Sequence, residues 1–215
     1  MHINLKIARF LDKAEVIKYG ISNISKIKPW GKKYKSAITL MLNIKPGIKK
    51  HDGVMMDRVF HSYSLKMRNI TDEFSAFLTN NKVQNKVIHF KQNLRLMTPF
   101  SHKKAAVLSG LGWIGKNALL VTPEFGPRVR LATVLVGAKL PAGKPVTKSK
   151  CGDCEICVVS CPVKAIKGKN WKPGMPRHEL LDSKRCKQMM IRKEKKLKND
   201  YACAICWFVC PHGAK

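Results

Sequence analysis

The chain has 215 residues, 45% of them hydrophobic, which is enough for one or two domains with a buried core and excludes disorder as the default reading. Its 42 Lys and Arg against 13 Asp and Glu give a formal charge of +29, a field that attracts polyanions such as RNA, although a lysine-rich solvated surface gives the same count. Residues 1–10 hold no apolar core of signal-peptide length and the longest apolar runs fall far short of a bilayer span, so no membrane is expected and the expected compartment is the cytoplasm.

In chain order, residues 3–18 read as a helix with Ile3, Ile7, Phe10, Leu11, Ala14 and Ile17 near one face. Residues 37–44 read as a strand stopped by Pro46 and Gly47. Val59, Tyr63, Met67, Ile70, Phe74 and Phe77 recur at steps of three and four and predict a core-packing helix over 57–80. Residues 87–90 predict a strand, 103–108 a short helix, and 119–122 and 129–136 two more strands with Pro123, Gly126 and Pro127 between them. The alternation predicts a mixed α/β domain over 1–140, a linker over 141–150 and a separate cysteine-bearing domain over 151–215.

All eight cysteines lie between Cys151 and Cys210, in short spacings that favour metal binding over disulfides in an unexported chain. Cys151, Cys154, Cys157 and Cys161, followed by Pro162, form C-x2-C-x2-C-x3-C-P, a bacterial ferredoxin run whose fourth cysteine serves the other of two 4Fe-4S clusters. Two residues between ligands let a loop wrap three corners of one cubane, while the fourth thiolate points away. Cys203, Cys206 and Cys210, followed by Pro211, form a second run, and Cys186 stands alone between the two. Counting corners gives Cys151, Cys154, Cys157 and Cys210 on one cluster and Cys161, Cys186, Cys203 and Cys206 on the other. Zinc held by four thiolates is the rival, and the three-in-a-row spacing with a proline after each terminal cysteine favours cubanes. Ile156, Val158, Ile205, Trp207 and Phe208 beside the ligands exclude water from the sulfurs, which points to low-potential electron transfer from a donor such as a ferredoxin or flavodoxin.

Gly110, Leu111, Gly112, Trp113, Ile114, Gly115 and Lys116 match two nucleotide motifs and satisfy neither. A dinucleotide fingerprint follows a strand, opens a helix and has an acidic residue about 20 positions on; here a helix precedes, a strand follows and the region near Arg130 is basic. A phosphate-binding loop needs Ser or Thr where Asn117 stands. Three glycines leave the backbone open to a flat ligand or a neighbouring domain.

The block from Gly110 to Asn117, the double-cluster run and the solitary Cys186 together resemble epoxyqueuosine reductases and their short relatives, and the cluster arrangement is similar to the C-terminal part of reductive dehalogenases. The resemblance implies an α+β fold, with an N-terminal nitroreductase-like layer followed by a ferredoxin-like double-cluster domain. It implies cobalamin bound by the N-terminal domain beside the first cluster, reduced by the cluster pair, with Gly110, Gly112, Trp113, Gly115 and Lys116 as cofactor contacts and tRNA as a partner. The sequence departs from the family at two positions: Leu96 stands where a catalytic aspartate is expected, and His102 where a glutamate is expected. An imidazole titrates near neutral pH, so His102 is the candidate acid in place of the missing carboxylate.

Overall fold

The computed structural model describes residues 3–45, 47, 51–88 and 100–213. The chain divides into two units, and neither is continuous in sequence: the first takes Met1–Leu42, Ser64–Leu111 and Arg130–Val146, the second Asn43–Tyr63, Gly112–Val129 and Thr147–Lys215. None of the described helices is long and apolar enough to cross a membrane.

The first unit is built on a four-stranded sheet in the order β1 (Lys18–Asn23), β2 (Ser36–Asn43), β6 (Val129–Val136), β3 (Asn85–Ile88). The outer pairs are antiparallel, with Tyr19 opposite Leu40 and Val87 opposite Val134. β2 is buried at every position from Ser36 to Leu42, as a central strand covered on both faces must be. The first unit also holds α1 (Ile3–Lys13), the later turns of α2 (Gly53–Asn80) and α3 (His102–Leu108), which packs on β1. The Phe10 ring stacks on Phe77 at 4.6 Å and tilts against Phe74 at 5.4 Å. Ile7, Leu11, Phe74 and Leu78 are all buried beside them. A separate apolar cluster joins Ile24, Tyr34, Ala37, Ile88, Phe100, Ala105 and Leu135.

The expected helix over 3–18 ends five residues early. Ile17 donates its N–H to Met41 O at 3.0 Å and leaves its side chain 46% exposed, so it lies on no helical face. The strand that follows, β1, gave no apolar pattern because Gly20 sits at its middle: a Cβ there would come within 2.4 Å of Ser109 Oγ, so the glycine admits the end of α3. The helix over 57–80 begins four residues earlier, at Gly53, with Asp52 capping it through Oδ1 to the N–H groups of Val54 and Met55. Of the strand expected over 87–90, residues 89 and 90 lie outside the described residues, as does Leu96. Leu140 and residues 141–146, the first part of the stretch read as linker, are tied to the first unit: Leu140 donates to Ser36 Oγ, Gly143 to Ile21 O and Val146 to Val107 O.

The second unit gathers the first turns of α2, the hairpin of β4 (Trp113–Ile114) and β5 (Leu120–Val121), and the cysteine-bearing stretch with α4 (Ile156–Val159), α5 (Ser183–Leu197) and α6 (Ile205–Phe208). Trp207 is buried with Ile44 and Met56, and its ring meets Phe60 edge-on at 5.6 Å. Gly53 accepts from Ala202 N, and a Cβ on Gly53 would strike the Tyr201 ring at 2.0 Å. The start of α2 is therefore part of the wall behind the second cysteine run.

Phe74→Ala removes a fully buried ring from the aromatic cluster of α1 and α2. The expected cost is about 3–5 kcal/mol, read as a lower urea midpoint by far-UV circular dichroism; an unchanged midpoint refutes the ring's place in the core.

Candidate metal centre

Two copies of one local device present most of the cysteines. In the first, Cys154 donates its N–H to Cys151 O through a turn with Gly152 at φ +51°, and the single helical turn α4 then carries Cys157. Cys161 follows, and its carbonyl accepts from Lys164 N, closing the turn after Pro162. In the second, Ala204 at φ +48° opens α6, which carries Cys206 and leads to Cys210. Cys186 comes from the first turn of α5, a helix capped by the Asp182 carboxylate accepting from Arg185 N.

The eight thiols fall into two groups. Cys151, Cys154, Cys157 and Cys210 line one cavity, with Lys116, Asn117 and His212 among its other walls. Burial pushes the Cys157 thiol up to about 11, reinforced by Cys151, Cys210 and Cys154 beside it. In the other group, burial raises Cys186, reinforced by Cys203 and Cys161. It raises Cys206 to about 12, with Cys203, Cys157, Cys186 and Cys161 as neighbours. Cys157 and Cys206 thus adjoin across the two groups. Among the described residues no three His, Cys, Asp or Glu side chains form a site for a single metal ion, and the first group edges a cavity. Cys157, Cys161, Cys186 and Cys206 pack on Ala165, Ile166, Leu180 and Leu181, an apolar wall that offers the sulfurs no water.

Donors reach several sulfurs directly. Ala165 N–H lies 3.2 Å from Cys161 Sγ, and the Trp113 indole Nε1–H lies 3.5 Å from Cys151 Sγ. Backbone N–H groups of Ile205 and His212 act on the Cys203 and Cys210 thiols, each opposing the upward push of burial. Such donors stabilise sulfur that carries negative charge.

The glycine block divides between the two units, with Gly110 in the first and Gly112–Lys116 in the second. Its glycines admit other parts of the chain itself. A Cβ on Gly110, which sits at φ +85°, would meet Lys144 O at 2.8 Å; one on Gly112 would meet Val121 O at 2.2 Å; one on Gly115 would meet Asn117 Oδ1 and Val121 Cγ2, each at 2.8 Å. Trp113 is 2% exposed and turns its N–H to a cysteine. Lys116 is 4% exposed, and its ammonium lies 3.6 Å from Glu155 Oε1. These residues are occupied within the chain and do not fit a corrin macrocycle or its tail. The sequence reading gave Asn117 no role in the site and did not single out Arg128. Asn117 donates through Nδ2 to Cys206 O and accepts from Leu119 N; Arg128 binds the backbone around Cys210. Neither lies in a periodic pattern or a cysteine spacing, so only a count of backbone carbonyls in the folded site reveals them.

His102 lies in the first unit, partly buried at the start of α3. Its Nδ1 is 2.9 Å from Thr133 Oγ1, which is 3.3 Å from Thr39 Oγ1. Burial, then the charge of Arg130, pushes its pKa down to about 4 from 6.5. The ring is therefore neutral at pH 7, and the reading of His102 as a group that exchanges a proton near neutrality is corrected by its surroundings.

Three comparisons bear on the site. Residues 150–213 match the model of a 4Fe-4S double cluster binding domain. The chain resembles the epoxyqueuosine reductases. That of Bacillus cereus is 31% identical over 120 residues, a match covering 52% of this chain and 29% of the relative's length, so the chain matches less than a third of it. A solved epoxyqueuosine reductase with an epoxyqueuosine-modified tRNA stem loop superposes with TM-score 0.69 at 18% identity, covering 98% of this chain and 65% of that one. A reductive dehalogenase described in terms of B12-dependent dehalogenation superposes with TM-score 0.71 at 15% identity, covering 97% and 32%. At these identities the structural likeness is one of fold, a mixed α and β architecture on an antiparallel sheet.

A histidine whose folded pKa is depressed leaves the unfolded chain to take up a proton first as pH falls. Stability conferred by neutral His102 is thus full above pH 6.5 and lost as pH drops from 6.5 towards about 4. The whole fall is on the order of 3 kcal/mol, and in His102→Gln the denaturation midpoint should depend less on pH across that window. Parallel wild-type and variant profiles refute the assignment.

Proposed function

We propose that the chain is an iron-sulfur reductase module in which Cys151, Cys154, Cys157 and Cys210 hold one 4Fe-4S cluster and Cys161, Cys186, Cys203 and Cys206 hold the other. The observation that carries this is the sorting of eight thiols into two adjoining groups, each drawing ligands from both halves of the cysteine stretch. When bound, each cluster supplies a one-electron redox centre. The chain's own part is to hold the thiolates, to exclude water with Ile166, Leu180 and Leu181, and to aim N–H donors at Cys151 and Cys161. The double-cluster match over 150–213 supports the cofactor, and the likeness to epoxyqueuosine reductases supports the reaction class. We read the first unit as the nitroreductase-like layer and the cysteine stretch as the ferredoxin-like domain of this arrangement, fed by a ferredoxin or flavodoxin.

The acceptor we infer is a corrinoid, on the likeness to a dehalogenase described as B12-dependent. No residue of this chain is assigned to it, since Gly110–Lys116 do not fit the role, and no step is derived through it. A carrier that hands electrons to a partner without a substrate of its own is the second reading. It is favoured by the surroundings of His102, whose Nδ1 is engaged with Thr133 Oγ1 and whose hold on a proton is weakened by burial. Reduction of epoxyqueuosine on tRNA is the third, favoured by the charge of +29 and the tRNA-bound structural neighbour.

Anaerobic reconstitution should give about eight irons and eight sulfides per chain, and added cobalamin should bind with a shifted visible spectrum. Zinc, or far fewer irons, sinks the cluster reading; full clusters without corrinoid uptake leave the carrier. Binding of a tRNA stem loop that weakens steeply with salt supports the third reading, and no binding at low salt removes it.

A further inference from the structure

Cys210 reaches the first cavity from the far end of the cysteine stretch, so its thiol is the ligand of that group with the longest loop to close. The backbone that carries it converges on one side chain. Arg128 Nη1 donates to His212 O at 2.7 Å, and Nη2 donates to Cys210 O at 2.8 Å and Phe208 O at 3.2 Å. The guanidinium carbon also lies 5.9 Å from the centre of the Trp207 ring. Three carbonyls aimed at one point repel unless a planar cation with several N–H groups fills it, a task that a guanidinium meets and an ammonium meets poorly. Arg128 is itself fixed, its N–H donating to Phe125 O and its carbonyl accepting from Ile44 N. The turn before it is shaped to the same tail: a Cβ on Gly126, at φ +56°, would fall 1.9 Å from His212 O, and one on Gly213, at φ +68°, would fall 2.2 Å from the Phe125 carbonyl carbon.

We propose that Arg128 is a positioning residue for the first cluster, clamping the turn from Phe208 to His212 so that the Cys210 sulfur faces Cys151, Cys154 and Cys157. This rests on the ligand assignment proposed above. Arg128 touches no sulfur through a hydrogen bond; it acts through the carbonyls and through a fixed positive charge beside Cys210. Removing that charge makes reduction of the neighbouring cluster harder, because the added electron loses a compensating cation.

The test compares wild type, R128M, R128K and C210A, each full length and reconstituted anaerobically. The readouts are iron and sulfide per chain, the electron paramagnetic resonance spectrum after reduction, and the midpoint potentials. About eight irons in wild type upholds the ligand assignment, independently of the clamp. R128M is expected to match C210A, with about four irons and the same single-cluster spectrum, or to keep both clusters with one potential lowered. R128K, with the charge but not the fork, should lose the same cluster to a chelator faster than wild type. The clamp is overturned if R128M keeps about eight irons with both potentials unchanged, or if soluble R128M loses both clusters in equal proportion. Should R128M fail to fold, R128K decides: iron retention and potentials equal to wild type overturn the clamp, and selective loss of one cluster upholds it.

Discussion

Eight thiols confined to one half-buried region cannot all ionise. Each must be a thiolate to bind iron, yet burial and neighbouring sulfurs push Cys157 up to about 11 and Cys206 to about 12. Left as thiols they would be weakly bonding groups held apart by mutual repulsion whenever two lost their protons. Only a cation shared among them turns that repulsion into attraction, so the packing of the second unit and its iron-sulfur chemistry are one problem.

The remaining features of this unit answer that constraint with oriented dipoles and one fixed charge. Trp113 turns its indole N–H to Cys151 and Ala165 its backbone N–H to Cys161, while Asn117 ties β4 and β5 to the carbonyl of Cys206. The block GLGWIGKN is thereby explained without a nucleotide or a corrin. Gly112 and Gly115 let β5 pass close behind, Gly110 admits the Lys144 carbonyl, the tryptophan faces the Cys151 sulfur, and the asparagine holds the backbone of Cys206. The buried Lys116 adds a cation to the wall of the first cavity and is balanced in part by Glu155.

The double-cluster character of residues 150–213 was legible from the cysteine spacings, because two residues between thiols fix what a short loop can reach. The long helix α2 and the strands β2 and β6 were legible from apolar periodicity. Strand β1 was not, since its hydrogen bonds come from β2 and its central glycine exists for α3. Arg128 and Asn117 were hidden for a related reason: their partners are main-chain carbonyls, which every residue has and no sequence displays. His102 was legible as a titratable group, but its pKa depends on Thr133 and Arg130, which only the fold brings to it.

The second unit draws on three stretches of chain, with Arg128 in the middle one and Cys210 near the end of the last. On a ribosome, the first three cysteines therefore emerge well ahead of the thiol that completes their set. Iron delivered at that moment would meet an open-sided nest exposed to oxygen and to competing metals. Loading is safest once Cys210 has emerged and its turn has closed on the first cavity.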